Sequence, residues 1–376
     1  IKSLTGVNTD KMKEEIQRGM TIDIGFAFLN DNITIIDVPG HEKFLKNMMT
    51  GVSNIDIALL VIAADDGVMP QTREHLDILK LLNVKNGLVV LNKIDLVDGE
   101  WLELVKSDIF ELVKDTFLEN VPIIEVSALN NININDLKSE LVKISHLLPD
   151  KKDSGVFRMH IDRAFLKKGF GTVVTGTVVS GELIVGQDIE IMPGFFKARV
   201  RNIQSHGNLV DKVVLGDRAA INLQGIDKKN ISRGTQIVKK DFFIQTNQIA
   251  AIIELLPNEK NILKHNQRIR IHIGTQEVIA RVFFINHKII TSDNKYISLL
   301  KLESFITVTM NDKFIIRTFS PMETIGGGFV VDNDLKGRWK KIKTYLETIY
   351  NQKNGIELDK IIENYLSKPN NRTGKI

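Results

Sequence analysis

Residues 87–95 read GLVVLNKID, a run of branched apolar residues that ends abruptly in polar ones. An unbroken apolar run of strand length suits a parallel strand covered by helices on both faces. Three more runs have the same character: residues 32–38 (NITIIDV), 56–63 (DIALLVIA) and 122–126 (PIIEV). Between and after them, residues 42–50, 71–82, 101–117 and 134–148 carry apolar residues at helical spacing. Strand and helix in alternation predict an α/β doubly wound domain over residues 1–150, with its ligand loops at the carboxyl ends of the strands.

The pattern changes after residues 149–155 (PDKKDSG), a charged linker. Short alternating strands with Gly at the turns follow, as in residues 169–181 (GFGTVVTGTVVSG). They predict one small β-barrel over residues 155–240 and a second over 245–333. The triplet Gly326–Gly328 inside the last strand predicts a bulge or a close backbone approach. From residue 335 to 376 the pattern is helical again, in 339–350 and 358–366.

Composition narrows the class without naming a function. Apolar residues make up 43% and charged residues 26%, as in a globular protein, and a net charge of +4 is only mildly basic. Cysteine is absent, which excludes a disulfide framework and a thiolate metal site. The longest uncharged apolar run, residues 57–64, has a strand's length, so the expectation is a cytoplasmic protein with no membrane partner.

Four loops carry chemistry. At the end of the 32–38 strand the chain reads Asp37-Val38-Pro39-Gly40-His41. A carboxylate there can hold a hydrated Mg²⁺ through water. Gly40 lets its backbone N–H approach a γ-phosphate, and His41 stands ready to orient an attacking water. Asn92-Lys93-Ile94-Asp95 follows the next strand but one; Asp95 can accept both N1–H and the exocyclic amine of guanine, which adenine does not offer as a pair. Lys93 can lay its stem over the base while Asn92 braces the neighbouring loop. Ser127-Ala128-Leu129 ends a further strand, with backbone N–H groups for the guanine carbonyl. Upstream, Thr21 in RGMTID can coordinate Mg²⁺ and order with GTP. Taken singly, each has a bland reading: a Pro-Gly turn, a helix N-cap at Asp95, an ordinary loop.

Together, in this order on strand-end loops, they resemble the G domain of the GTPase superfamily. The phosphate-binding GxxxxGK[ST] does not occur in the chain. Ile1 is not Met, and residues 2–5 look like the tail of the helix after such a loop. A fragment truncated at both ends, with the first strand and P-loop upstream, is the expectation.

Residues 18–23 (RGMTID), 37–48 (DVPGHEKFLKNM), 63–75 (AADDGVMPQTREH) and 91–97 (LNKIDLV) are similar to translational GTPases of the elongation factor Tu group. That resemblance implies a G domain followed by two β-barrels. It also implies GTP and Mg²⁺ as cofactors, with His41 catalytic and Thr21, Asp37 and Gly40 at the metal and γ-phosphate. The short stretch from residue 5 to 21, residues 161–165 (IDRAF), 216–226 (GDRAAINLQGI) and 320–328 (SPMETIGGG) resemble the selenocysteine-specific elongation factors. So does the continuation past the second barrel, similar to the start of a winged-helix region that binds an mRNA hairpin. The implied partners are selenocysteyl-tRNA and the ribosome, and the implied state is a monomer. A general elongation factor Tu-like carrier or an initiation-factor gamma-like carrier is the alternative.

Chemistry supplies a reason for a cationic pocket. A selenol is ionised at neutral pH, whereas a thiol with a pKa near ~8.5 is mostly neutral. Arg163 and Arg218 are the candidate aminoacyl pocket, with Asp162 orienting a guanidinium; an ordinary surface ion pair is the competing reading.

Overall fold

A computed structural model describes residues 1–351 except 11, 42, 43, 45, 46, 50–54 and 152, and of residues 348–351 the backbone alone. The predicted helix 42–50 falls largely, and the predicted helix 358–366 wholly, outside the described residues. The chain divides into two compact units, residues 1–152 and 153–376.

In the first unit, strands Ile57–Ala63, Asn86–Asn92 and Ile123–Glu125 form a parallel sheet in that order. The central strand is buried on both faces. Val89 and Leu91 pack with Leu76, Val105, Ile109 and Leu112, which come from the helices Pro70–Leu81 and Gly99–Val113. Leu88 and Val90 pack on the other face with Leu137 and Leu141 of the helix Ile134–Leu147. Two-sided burial is why residues 87–92 read as a continuous apolar run.

The strand expected at 32–38 behaves differently. Ile33–Asp37 pairs antiparallel with Gly25–Asn30 in a two-stranded hairpin, and every residue of it is half-buried. The turn is set by Asn30, whose side-chain oxygen accepts the N–H groups of Asn32 and Ile33, both at 2.9 Å. Ile33, Ile35 and Leu29 still join the face carrying Leu88 and Val90.

The second unit holds two closed six-stranded barrels. Around the first run Phe196–Ser205, Arg218–Gln224, Gly171–Ser180, Arg158–Lys167, Gln236–Lys239 and Asp188–Met192, which pairs back to the start. Around the second run Thr246–Leu255, Lys295–Ile306, Gln276–Phe284, Arg268–Ile273, Lys313–Thr318 and Thr324–Asp332. Inward Ile, Val and Leu fill both barrels, as Ile161, Ile191 and Ile221 do in one and Ile253, Ile271 and Ile316 in the other. Gly328 is a close approach: a Cβ there would lie 1.9 Å from the Ile252 carbonyl oxygen. The helix Trp339–Asn351 lays Ile342 and Leu346 against Ala250, Ile252 and Leu299 of the second barrel. Among the described residues no helix is long and apolar enough to cross a membrane.

A buried arginine and a half-buried aspartate tie the two barrels together where they meet. Arg158 is 4% exposed and forks onto Asp312 at 2.8 and 2.6 Å. Its Nε donates to Gln236 Oε1 at 2.7 Å, and Gln236 in turn donates to the Thr307 carbonyl at 2.6 Å. Beside them His160 is buried against Gly274, whose φ is +54° and whose added Cβ would lie 2.3 Å from His160 Cε1. Gly274→Ala therefore combines strained backbone with overpacking at a barrel contact. It is expected to destabilise the second unit by about 1–3 kcal/mol, read as a lower urea midpoint at unchanged slope.

Candidate functional site

The three parallel strands end level with one another, Ala63 opposite Asn92 and Leu91 opposite Glu125. Asn92 Oδ1 accepts the Ala128 N–H at 3.1 Å, so the first residue of NKID holds the Ser127–Leu129 loop in place. Lys93 adopts a left-handed backbone, φ 64°, and swings its ammonium to Asp65, with 2.9 and 2.8 Å to the two carboxylate oxygens. The hydrogen bond from Lys93 holds the exposed Asp65 carboxyl below its usual range and raises Lys93 in return. Asp95 sits exposed in the single turn Ile94–Leu96.

Ser127 is fully buried; its Oγ accepts the Asn130 N–H at 3.1 Å, and its own N–H donates to the Ile132 carbonyl at 3.2 Å. The N–H groups of Ser127 and Ala128 are thus both engaged inside the protein, while Leu129 is 82% exposed. Ser3, on the helix Lys2–Thr5, donates to the Ala128 carbonyl at 2.8 Å. Nothing in the sequence marks Asp65 as the partner of Lys93. Nor does anything mark Trp101, whose indole N–H donates at 2.8 Å to the carbonyl of Ala64, next in the chain to Asp65.

Asp37 closes the hairpin strand, half-buried, and burial raises its carboxyl above the usual range while a hydrogen bond from Thr9 pulls the other way. Pro39 is buried and Gly40 exposed. His41 is half-buried, with its ring centroid 6.0 Å from that of Phe44. His75 lies beneath the turn, 4.0 Å from where a Gly40 Cβ would be, and burial lowers its pKa so that it stays neutral. Thr21 donates to Asp10 at 2.9 Å. Carboxylate and hydroxyl oxygens are the hard donors Mg²⁺ takes, so Asp37 and Thr21 fit that ion by donor type. When bound, the ion would neutralise phosphate charge.

On the first barrel, Asp162 stands at a bulge between Ile161 and Arg163 and is buried, 7% exposed. Arg218 donates to it at 2.6 and 3.2 Å, Thr175 donates at 2.7 Å, and Arg233 donates to its backbone carbonyl at 3.2 Å. Asp162 therefore orients Arg218, whereas Arg163 lies on the exposed side of the strand. The bulge, invisible in sequence, sets Arg163 opposite Thr175, on the strand that runs between Arg163 and Arg218.

Three family models match successive parts of the chain. They are the elongation factor Tu GTP binding domain over residues 2–147, elongation factor Tu domain 2 over 171–238, and the beta-barrel domain of selenocysteine-specific elongation factor over 250–336. The selenocysteine-specific elongation factor of Methanocaldococcus jannaschii is 33% identical over 346 residues, covering 86% of this chain and 73% of that relative. The chain belongs to the selenocysteine-specific elongation factor family. The family member from Desulfomicrobium baculatum is 38% identical over 353 residues, which are 93% of this chain. The chain spans 56% of that relative's length. Among solved structures, a bacterial selenocysteine-specific elongation factor superposes with a TM-score of 0.83 at 31% identity, covering 97% of this chain and 60% of that one. Another, from Methanococcus maripaludis in complex with the GTP analogue GppNHp, gives 0.75 at 27% identity, covering 86% and 75%.

Proposed function

We propose that the full-length protein binds GTP, carries selenocysteyl-tRNA to the ribosome and hydrolyses GTP there. The observation that carries the reading is the NKID loop braced by Asn92 against Ser127–Leu129 at the ends of parallel strands, in a chain of this family. In that frame Asp95 selects guanine, and Lys93, swung off Asp65, covers the base. Thr21 and Asp37 hold Mg²⁺ beside the γ-phosphate, Gly40 offers its N–H to the same group, and His41 orients the attacking water. Crystallised with GppNHp, the Methanococcus maripaludis relative supports the choice of nucleotide.

For the aminoacyl group, Arg218 supplies a guanidinium already fixed by Asp162, which Thr175 holds in turn, and Arg163, next in the chain to Asp162, supplies an exposed one. Fixed donors lose little entropy on binding an anion, so a selenolate is favoured over a neutral serine hydroxyl. The mRNA hairpin is assigned to the rest of the winged-helix region in the full-length protein, of which residues 335–376 are the start, and the protein to the cytoplasm as a monomer.

His41 is the direct test of the chemistry. His41→Ala in the full-length protein should leave GTP affinity within about twofold and lower ribosome-stimulated hydrolysis by about 10²–10⁴-fold, the range for losing one proton-handling or water-orienting group. Hydrolysis that persists at the parental rate would remove His41 from the reaction.

A further inference from the structure

The groups assigned to the phosphate end of the site are already engaged, and by two consecutive residues. Thr9 donates its hydroxyl hydrogen to Asp37 Oδ2, and Asp10 Oδ1 accepts the Thr21 hydroxyl at 2.9 Å. A hydroxyl thus covers the carboxylate and a carboxylate covers the hydroxyl, both supplied by one short segment.

A third side chain fixes the frame. Glu15 is 3% exposed in the helix Lys13–Arg18, and its carboxylate gathers the Met12 N–H at 2.8 Å and those of Ile22 and Asp23 at 3.1 Å each. Asn47 adds a hydrogen bond to the Ile22 carbonyl at 2.8 Å. Residues 12 and 22–23 are therefore drawn to one buried charge, and Thr21, next in the chain to Ile22, is held where Asp10 reaches it.

We propose that Thr9 and Asp10 form an internal clasp, which holds the Asp37 carboxylate and the Thr21 hydroxyl until a nucleoside triphosphate with its divalent cation displaces it. Glu15 is the positioning residue that keeps Thr21 in place for either partner. The proposal rests on the guanine-nucleotide reading above. Its consequence is selectivity between nucleotides. Apparent affinity for a ligand that must open the clasp is reduced by the fraction of molecules already open. A diphosphate has no γ-phosphate for Thr21 to read and need not break the Thr21–Asp10 contact.

The experiment measures affinity of the full-length protein for a fluorescent non-hydrolysable GTP analogue and for GDP, both with Mg²⁺. Amide hydrogen exchange of residues 20–23 is measured in parallel without nucleotide. Asp10→Ala is expected to tighten the triphosphate analogue about 5–10-fold, the scale of one typical intramolecular hydrogen bond, and to leave GDP within twofold. It should also speed exchange at residues 20–23. Thr9→Val, a nearly isosteric second variant, is expected to change triphosphate affinity in the same direction. Glu15→Ala is expected to weaken the triphosphate about 10-fold with GDP spared, and Glu15→Gln to recover part of the loss.

A merely structural clasp would weaken both nucleotides together in Asp10→Ala and Thr9→Val. That outcome, or unchanged triphosphate affinity in both, overturns the proposal. If the unaltered protein binds neither nucleotide, the nucleotide reading itself has failed, and the clasp as a nucleotide-displaced device fails with it.

Discussion

Asp95→Asn is expected to lower the GTP affinity of the full-length protein by at least about 100-fold and to create affinity for xanthosine triphosphate. Guanine offers two donors along one edge, N1–H and the exocyclic amine, and a carboxylate accepts both. An asparagine amide turns one acceptor into a donor, which meets the amine donor to donor. A buried donor left without a partner costs about 1–3 kcal/mol, and loss of the charge adds to it. Xanthine carries a carbonyl where guanine carries the amine, so the same amide then fits. Equilibrium competition between the two triphosphates reads both changes at once. Asp95 is exposed in a single turn, so the substitution should not disturb the fold. Equal losses for both bases would place Asp95 outside base recognition.

Arg158→Ala should have the largest effect on stability, about 3–5 kcal/mol, because it removes a buried cation and strips the half-buried Asp312 carboxylate of the charge that forks onto it. Burial alone would push the Asp312 carboxyl up, but the charge and hydrogen bonds of Arg158 outweigh it and hold the group below its usual range. A carboxyl depressed in the folded state adds stability that is present above about pH 4 and lost as pH falls through the folded value. Removing Arg158 reverses the sign for Asp312, so the deficit of Arg158→Ala is largest near neutrality and shrinks in acid.

His160 acts on the same contact from the other direction. Desolvation, with repulsion from Arg158 second, lowers its pKa to about 3. Its neutral form is favoured in the folded state, so stability declines as pH drops below about 6.5 and continues to decline toward the folded value. The slope approaches about 1.4 kcal/mol per pH unit between those limits. His160→Gln should flatten that slope. The chain has two tryptophans, and Trp339 packs on the second barrel, so urea titrations read by its fluorescence in a Trp101→Phe background isolate this unit. The double substitution Arg158→Met with Asp312→Leu should recover most of the loss, because two matched apolar groups leave no charge uncompensated.

The doubly wound sheet was legible because strands buried on both faces must be continuously apolar, as residues 87–91 are, and because polar residues break in where a strand meets its ligand loop. The barrels were legible from Gly-punctuated alternation, and Gly328 from the close approach it permits. The contacts that hold the candidate site together were not. Glu15 looks like any solvated glutamate on KEEIQR, yet it is buried because the chain returns at Ile22 and Asp23 with amides to satisfy. Nothing in residues 32–38 says that the strand pairs antiparallel with Gly25–Asn30, since an apolar run does not encode its neighbour. Nothing in sequence separates the settings of Asp162 and Arg163; at a one-residue bulge the first is buried on Arg218 and the second is left exposed. Arg158 and Asp312 lie far apart in the chain, and only packing of one barrel on the other makes them partners.

Delivery of selenocysteyl-tRNA is tested by competition between selenocysteyl-tRNA and seryl-tRNA of the same tRNA body for the full-length protein with GTP, with and without Arg163→Ala or Arg218→Ala. A strong preference for the selenocysteyl form is expected, reduced by either substitution, with Arg218 the more damaging because Asp162 already fixes it. Equal binding of the two forms, or a preference for ordinary elongator tRNAs, would contradict it.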